Sequence, residues 1–281
     1  MTLPSIRRIL APNPGPLTGT GTNTWIIGSD PVVVIDPGPL IASHLDAILE
    51  TGRIEAILVT HAHLDHSALA SRLGPISGAP VLAFGSASDG RPRRAEHLTD
   101  LGGGEGVDDA FAPDGTLADG AVVETAMGLI TALHTPGHFG NHMAFALGDT
   151  VFCGDLVMGW ATTLISPPDG DLAAFRTSCG RLRDRAPRAL LPGHGEPVTN
   201  PRARIDELLR HRDQREAQIV AALSEAPGTA AALAARVYTD ITPHLLPAAA
   251  RNVLAHLIDL AERGDVVAPE GITERAVFHA T

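Results

Sequence analysis

The sequence contains no lysine, since all 21 of its basic residues are arginine. Without lysine, the protein cannot form a Schiff base with a substrate or bind phosphate through the lysine of a P-loop. Cysteine is almost as scarce, with only Cys153 and Cys179 in 281 residues. Two cysteines exclude a disulfide framework and a zinc site made of several thiolates. Any metal site in this protein must therefore use nitrogen and oxygen ligands.

Long apolar runs and an excess of positive charge are also missing. No run approaches the roughly 18 to 20 apolar residues that a membrane-spanning helix needs. The amino terminus lacks the apolar core of a signal peptide, so we expect a cytoplasmic protein with no membrane partner. The 21 basic and 32 acidic residues give a net charge of −11. This charge repels polyanions and disfavours a nucleic-acid partner without excluding it.

The order of apolar patterns predicts a large domain followed by a small one. In the first part, short apolar runs end at turn signals, which is typical of stacked sheets with few helices. Residues 85–107 form a long polar stretch that predicts a loop. After Pro201, three helical patterns and two short strands predict a winged-helix-like domain. The predicted helices cover residues 202–226, 229–238 and 247–263. We therefore expect domains over residues 1–200 and 201–281.

Three histidines and an aspartate lie within six residues, at the predicted end of a buried strand. They are His61, His63, Asp65 and His66. His61 and His63 are two residues apart, so both rings point to one side while the chain stays extended. Asp65 and His66 lie beyond the turn, and their side chains can face a second position near the one that His61 and His63 face. Imidazole suits zinc, and catalytic zinc commonly keeps three protein ligands and an open position. A polar turn capped by Asp65 is the alternative, and the density of ligand-type residues favours a metal site.

Three further residues follow predicted strands next to glycine or proline. They are His138, Asp155 and His194. Loops at strand ends are where a rigid scaffold presents binding and catalytic side chains. Each residue alone is compatible with an ordinary turn. Together with the first cluster, they predict a single metal site.

The HxHxDH cluster and these three residues resemble the metallo-β-lactamase-fold hydrolases over roughly residues 10 to 200. The resemblance implies an α+β fold, a four-layer αββα sandwich that carries two divalent metal ions. By this resemblance His61, His63 and His138 bind one ion, Asp65, His66 and His194 bind the other, and Asp155 bridges them. Zinc is the expected metal, and iron and manganese suit the same ligands. The aspartate bridge resembles the glyoxalase II and ribonuclease branches rather than the true β-lactamases.

Two motifs near the amino terminus and the winged-helix-like tail resemble a narrower group. The motifs are Asn13-Pro14-Gly15-Pro16 and Gly21-Thr22-Asn23-Thr24. That group contains mitochondrial single-strand endoribonucleases, fungal acyl-carrier-protein thioesterases and bacterial hydrolases. The tail has no basic cluster like the one with which glyoxalase II binds glutathione. A glutathione thioester is therefore not the expected substrate.

The resemblance implies a hydrolase whose nucleophile is a hydroxide that bridges the two metal ions. We expect Asp65 to orient the water or relay its proton. His142, four residues after His138, is expected to donate a hydrogen bond to the substrate, with a polar loop residue as the alternative. Asp36, at the end of another buried strand, is expected to support a ligand histidine rather than bind metal.

The expected substrate is a small-molecule ester or thioester. Trp25, Phe139, Met158 and Trp160 are near the ligand motifs and are candidates for an apolar wall, with core packing as the alternative. Single-stranded RNA is the second choice. Its phosphates need a positive track, and the candidates are arginines 91, 93, 94, 202, 204, 210, 212 and 215. Acidic residues interleave with the last five, which favours ion pairs within the helix.

The C-terminal domain allows a third interpretation, in which it binds DNA and the metal site acts as a sensor. The tail is acidic, which argues against this interpretation. We instead expect the tail to close the cleft or to pack a homodimer.

Overall fold

The computed structural model describes residues 5–95, 97–98 and 106–281. The strands are β1 Ile6–Leu10, β2 Asn23–Gly28, β3 Val32–Ile35, β4 Ile54–Leu58, β5 Val81–Ala83, β6 Gly115–Thr116, β7 Val122–Thr125, β8 Gly128–His134, β9 Met143–Leu147, β10 Thr150–Gly154, β11 Ala189–Pro192, β12 Val266–Val267 and β13 His279–Ala280. The helices are α1 Ala42–Leu49, α2 Leu64–Ser67, α3 Ala70–Ser77, α4 Leu172–Arg185, α5 Pro201–Glu225, α6 Ala230–Val237 and α7 Leu246–Arg263. The predicted loop over 85–107 falls partly outside the described residues. Its described part includes one 3₁₀ turn, Arg93–Ala95.

Two sheets stack face to face at the centre of the first domain. β1 to β6 form one sheet in chain order, and β11-β10-β9-β8-β7 is the order in the other. The pairs β3–β4, β4–β5, β5–β6 and β10–β11 are parallel, and the remaining neighbours in these sheets are antiparallel. Side chains such as Val33 and Leu58 of the first sheet pack against Phe145 and Phe152 of the second.

Helices cover the outer face of each sheet. In β3, Val33 and Ile35 face the other sheet, whereas Val32 and Val34 lie in the core beneath α1 and α3. Because both faces of this strand are buried, its sequence is apolar throughout. The outer face of the second sheet is covered by α4 and by the first half of α5. The four layers therefore run helix, sheet, sheet, helix, which confirms the predicted fold.

The C-terminal helices and the β12–β13 hairpin share a second apolar core. Its members include Ile219, Leu233, Val253 and Phe278. The predicted winged-helix organisation is therefore confirmed. Helix α5 takes part in both cores, because its first half packs on the second sheet and its second half on the C-terminal core. The boundary at residue 200 stays a prediction, since one continuous helix joins the two units.

A network of ion pairs fixes α4 against the C-terminal helices. Arg176 of α4 lies 2.9 Å from an Asp259 carboxylate oxygen of α7 and 2.8 Å from Glu216 of α5. Glu216 also pairs with Arg263 of α7 at 2.8 Å. These ion pairs therefore connect the two cores, in addition to helix α5, which takes part in both. Among the described helices, none combines the length and apolarity that a membrane span requires.

Candidate metal centre

The predicted ligands meet at one edge of the sandwich because each follows a strand that ends there. His61 and His63 follow β4, and α2 then carries Asp65 and His66. The loops after β8, β10 and β11 add His138, Asp155 and His194, respectively. The seven side chains form overlapping groups in which the ligand atoms of each group lie within 4.8 Å of one another.

Three imidazoles form the first group. The Nδ1 atom of His63 lies 2.8 Å from Nε2 of His61 and 3.0 Å from Nε2 of His138. Burial lowers the pKa of all three rings, to about 3 for His63. The rings are therefore neutral near pH 7, which is the form of histidine that binds metal.

The second group combines a carboxylate with two imidazoles. The Oδ2 atom of Asp65 lies 3.4 Å from Nε2 of His66 and 3.2 Å from Nε2 of His194. These two ring nitrogens are 3.3 Å apart. Burial opposes protonation of His194, but the carboxylates of Asp155 and Asp65 outweigh it and raise the pKa of this ring to about 10. This group therefore attracts positive charge, which a proton or a metal ion can supply.

Asp155 lies between the two groups. Its Oδ2 atom is 3.7 Å from Nε2 of His138 in the first group and 3.3 Å from Nε2 of His194 in the second. Burial alone would raise the pKa of Asp155, yet His194 and His66 hold it well below its usual range. This geometry places a negatively charged carboxylate against both groups.

The residues present fit divalent metal ions. The buried Oδ1 atom of Asp155 has no hydrogen-bond partner among the described residues, although buried polar atoms are normally partnered. Converging imidazole nitrogens and carboxylate oxygens are the ligands that zinc, iron and manganese accept. The side chains of the centre are therefore of the types that hold metal.

Asp36 fixes the orientation of two ligand histidines, as expected. Its Oδ2 atom accepts a hydrogen bond from Nδ1 of His66 at 2.9 Å and another from Oγ1 of Thr60 at 2.8 Å. Because the Thr60 hydroxyl donates to Asp36, it accepts from Nδ1 of His61, which lies 3.0 Å away. Both rings are thus left with Nε2 free to bind metal.

Backbone carbonyls fix two further rings, those of His138 and His194. His138 donates from Nδ1 to the Leu164 carbonyl at 2.7 Å, and His194 donates from Nδ1 to the Gly21 carbonyl at 3.1 Å. The Thr22 hydroxyl, next to Gly21, donates to Asp65 Oδ2 at 2.9 Å. The Gly21–Thr24 motif thus contacts two residues of the centre, a role that its local sequence did not indicate.

Comparison with known proteins agrees with this geometry. Residues 17–194 match the family described as the Metallo-beta-lactamase superfamily. The chain belongs to this superfamily. Residues 229–273 match the Beta-lactamase associated winged helix domain. Membership of this hydrolase superfamily confirms that the protein is an enzyme of the predicted class.

Relatives cover nearly the whole chain. A Beta-lactamase-like protein 2 homolog of Drosophila melanogaster is 32% identical over 276 residues, which cover 92% of this chain and 89% of the relative. An Atrochrysone carboxyl ACP thioesterase of Aspergillus chevalieri is 31% identical over 230 residues, which cover 79% of this chain and 67% of the relative.

Solved structures extend the similarity to the fold. A metallo-beta-lactamase family protein from Thermus thermophilus superposes with a TM-score of 0.79 at 24% identity and covers 98% of both chains. A second solved protein, described in a di-iron-bound form, is 28% identical with a TM-score of 0.52 and covers 70% of this chain and 96% of its own.

The contacts of His142 differ from the hydrogen bond to substrate that we expected from the sequence. The side chain is fully buried, with Nδ1 3.0 Å from the Thr135 hydroxyl and Nε2 3.2 Å from the backbone nitrogen of Asp155. Burial lowers the pKa of the ring, so neutral His142 accepts from Asp155 and donates to Thr135. Neither ring nitrogen is left for the expected hydrogen bond to a substrate. These contacts make His142 a support for Asp155.

The predicted apolar wall is largely core. Trp25, Phe139 and Met158 are at most 5% exposed, and the Phe139 ring packs edge-to-face on His63 at 4.9 Å between centroids. Trp160 is the exception, at 46% exposure. Its indole lies against Gly19 and Gly195, and a Cβ atom on Gly195 would come within 2.5 Å of it.

Trp160 lines a cavity of about 910 Å³ next to the His194 loop. Gly19 and Thr20 form one side, and one face of α5 forms another. Arg204 of α5 holds the Trp160 loop, because it donates to the Met158 and Ala161 carbonyls at 2.7 Å each. These two hydrogen bonds attach the Trp160 side of the cavity to α5.

Several arginines considered for an RNA track have other partners. Arg91 and Arg94 pair with Asp169 and Asp171 on the loop before α4. Arg204 pairs with Glu207 at 2.8 Å within α5, as the interleaved charges predicted. Arg212 is 1% exposed. These contacts disfavour a phosphate-binding track along these arginines.

Proposed function

We propose that this protein is a dinuclear metal-dependent hydrolase of small-molecule thioesters or esters. The observation that carries the proposal is the pair of ligand groups joined by the Asp155 carboxylate. The di-iron-bound form of a solved relative supports a two-metal site. The bound ions would be held by His61, His63 and His138 on one side and by Asp65, His66 and His194 on the other, with Asp155 shared. Zinc is the metal we propose, because it suits this nitrogen and oxygen set.

The two ions, when bound, supply a hydroxide at neutral pH and polarise the scissile carbonyl. The chain positions the other participants. The Asp65 side chain is 26% exposed, against 10% or less for Asp155, His66, His138 and His194. It therefore reaches the solvent side of the centre, where it orients the attacking water and accepts a hydrogen bond from it. Thr22 holds the Asp65 carboxylate in place for this role.

The cavity next to His194 supports an acyl substrate. Its Trp160 side chain is half-exposed and offers apolar surface to a bound molecule. The relative named as an ACP thioesterase supports a thioester as the substrate class. We propose that the acyl part of the substrate occupies this cavity while its carbonyl lies at the metal centre.

A parallel assay tests the proposed function. Metal-loaded protein is incubated with an acyl thioester, an aryl ester and a labelled single-stranded RNA, with the Asp155→Ala variant as control. We expect cleavage of the thioester or the ester that depends on metal and disappears in the variant, and no cleavage of RNA. RNA cleavage that the variant loses would overturn the substrate class while retaining the metal centre.

The Trp160→Ala variant tests the acyl cavity. Removing the indole face should cost about 1 kcal/mol of substrate binding, so we expect KM to rise about fivefold. The constant kcat should change less than about twofold, because the contact is equal in the ground state and the transition state. Leu129→Ala, which removes a side chain that is 61% exposed on β8, is the matched control. An unchanged KM for Trp160→Ala would place the acyl group elsewhere.

A further inference from the structure

Arg212 is a buried cation that the proposed reaction does not use. It lies on α5, is 1% exposed and makes no ion pair within 4 Å with a carboxylate of the described residues. Its guanidinium lies over the Phe175 ring, 5.2 Å from the centroid. Its Nε atom has no hydrogen-bond partner among the described residues. Burying a charge without a counter-charge costs folding free energy. The hydrogen bonds that Arg212 does make must offset this cost.

Those contacts converge on residues 163–165, which we call the 163–165 segment. Arg212 donates from Nη2 to the Thr163 carbonyl and from Nη1 to Asn252 Oδ1, the latter at 3.3 Å. Asn252, on α7, also accepts from the Ile165 backbone nitrogen at 3.0 Å. Two C-terminal helices therefore hold both ends of the segment.

The middle of the segment is hydrogen-bonded to a histidine of the first ligand group. The Leu164 carbonyl, between the two anchored residues, accepts the Nδ1 hydrogen of His138 at 2.7 Å. At one end, the Thr163 hydroxyl donates to the Asp155 carbonyl at 2.9 Å. The segment thus contacts one residue of the first ligand group and the residue shared by both groups.

A second route connects Arg212 to the same histidine. Phe175, beneath the guanidinium, packs against Gly137, where a Cβ atom would lie 2.4 Å from the Phe175 Cα. Gly137 immediately precedes His138. Arg212 therefore contacts the surroundings of this ligand both through a hydrogen bond and through an aromatic ring.

We propose that Arg212 and Asn252 are positioning residues for the metal centre, which act from the C-terminal helices through the 163–165 segment on His138. The proposal rests on the proposed metal-binding role of His138. It assigns a function to the C-terminal unit: the unit completes the outer contacts of the first ligand group. Metal affinity at that group then depends on Asn252 of α7, outside the sandwich, as well as on Arg212 of α5.

Asn252 provides the sharper test, because it is partly exposed and carries no charge. Asn252→Leu removes the acceptor at nearly constant size, whereas Asn252→Asp retains an acceptor oxygen. Asp259→Asn is the control, since Asp259 lies two turns further along α7 and pairs with Arg176 rather than with the segment. Zinc affinity is measured on the full chain by competition with a chelator. Cobalt absorption spectra report the ligand geometry, and thermal unfolding of metal-free protein reports stability.

We expect Asn252→Leu to weaken one of two zinc sites about 10- to 100-fold, as outer contacts of ligand histidines typically do. The cobalt spectrum should change with it. The zinc affinity of Asn252→Asp should stay within about threefold of that of the unsubstituted protein. The same should hold for Asp259→Asn, whatever its thermal stability. Arg212→Met is expected to reproduce the effect of Asn252→Leu if it folds.

Unchanged zinc affinity and cobalt spectrum in Asn252→Leu would overturn the positioning role. An equal loss of zinc affinity in Asp259→Asn would also overturn it. The effect would then arise from any disturbance of the contact between α7 and the first domain. Failure of the unsubstituted protein to take up zinc or cobalt is a different result. It would refute the proposed metal centre itself.

Discussion

Replacing Asp155 with alanine is expected to abolish hydrolysis and to remove bound metal in the same step. Asp155 contacts histidines of both ligand groups and is 7% exposed as a residue. Its loss leaves each group without the carboxylate that they share. Metal ions contribute several kcal/mol to such reactions, so we expect the rate to fall by about 10³-fold or more. Metal analysis of the purified variant should give fewer than two ions per chain.

Two further variants separate the bridge from general damage. Asp155→Asn keeps the shape and removes the charge, so it should retain the fold and lose most of the metal. Asp169→Ala removes another largely buried aspartate, one that pairs with Arg91 and not with a ligand. It should keep both ions and most of the rate. If Asp155→Ala retained two ions and full turnover, the two ligand groups would not share this carboxylate.

The gathering of the seven predicted side chains at one place could be predicted from the sequence because each follows a local pattern. His61, His138, Asp155 and His194 come after apolar runs that end at turn signals, and sheet stacking places strand ends at common edges. The stacked sheets were predictable from apolar runs such as Val32–Ile35, which require burial on both faces, whereas the four-layer arrangement was implied by the family resemblance. β1 was not predicted. Arg7 and Arg8 interrupt its apolar pattern, which a strand at the edge of a sheet tolerates.

Except for that of Asp36, the outer contacts of the centre could not be predicted, because they join segments far apart in the chain. Arg212 and Asn252 reach the 163–165 segment across 49 and 87 residues, respectively, and nothing local marks either as special. His142 shows the opposite problem. Its proximity to His138 in sequence suggested a role towards substrate, but the fold turns both ring nitrogens to protein partners.

Aromatic residues near the motifs posed a similar ambiguity. Phe139 directly follows His138 and Trp160 closely follows Asp155, yet Phe139 fills the core whereas Trp160 lines a cavity. Which of them is exposed depends on how the sheets and α5 pack, and composition does not record this. Likewise, Pro201 correctly marks where a helix starts. Its position at the start of α5 gives no information about where one core ends.

Removing metal is expected to lower the melting temperature of the protein by about 8 to 16 °C. The folded chain holds the Asp155 and Asp65 carboxylates and the imidazoles close together in one preformed site, which the unfolded chain lacks. A ligand at 1,000 times its dissociation constant stabilises the native state by about 4 kcal/mol. One kcal/mol corresponds to about 2 to 4 °C for a domain of this size. Thermal unfolding is followed by circular dichroism with excess zinc and after chelation.

The Asp155→Ala protein is the control. Because it should no longer bind both ions, chelation should change its melting temperature much less. Restoring zinc to the chelated protein should restore the higher melting temperature and the hydrolytic rate together, since both depend on the same ligands. Equal melting temperatures for loaded and chelated protein would show that the seven side chains do not bind metal tightly. In that case the charge in the centre must be balanced by protons on His66 and His194, whose raised pKa values allow it.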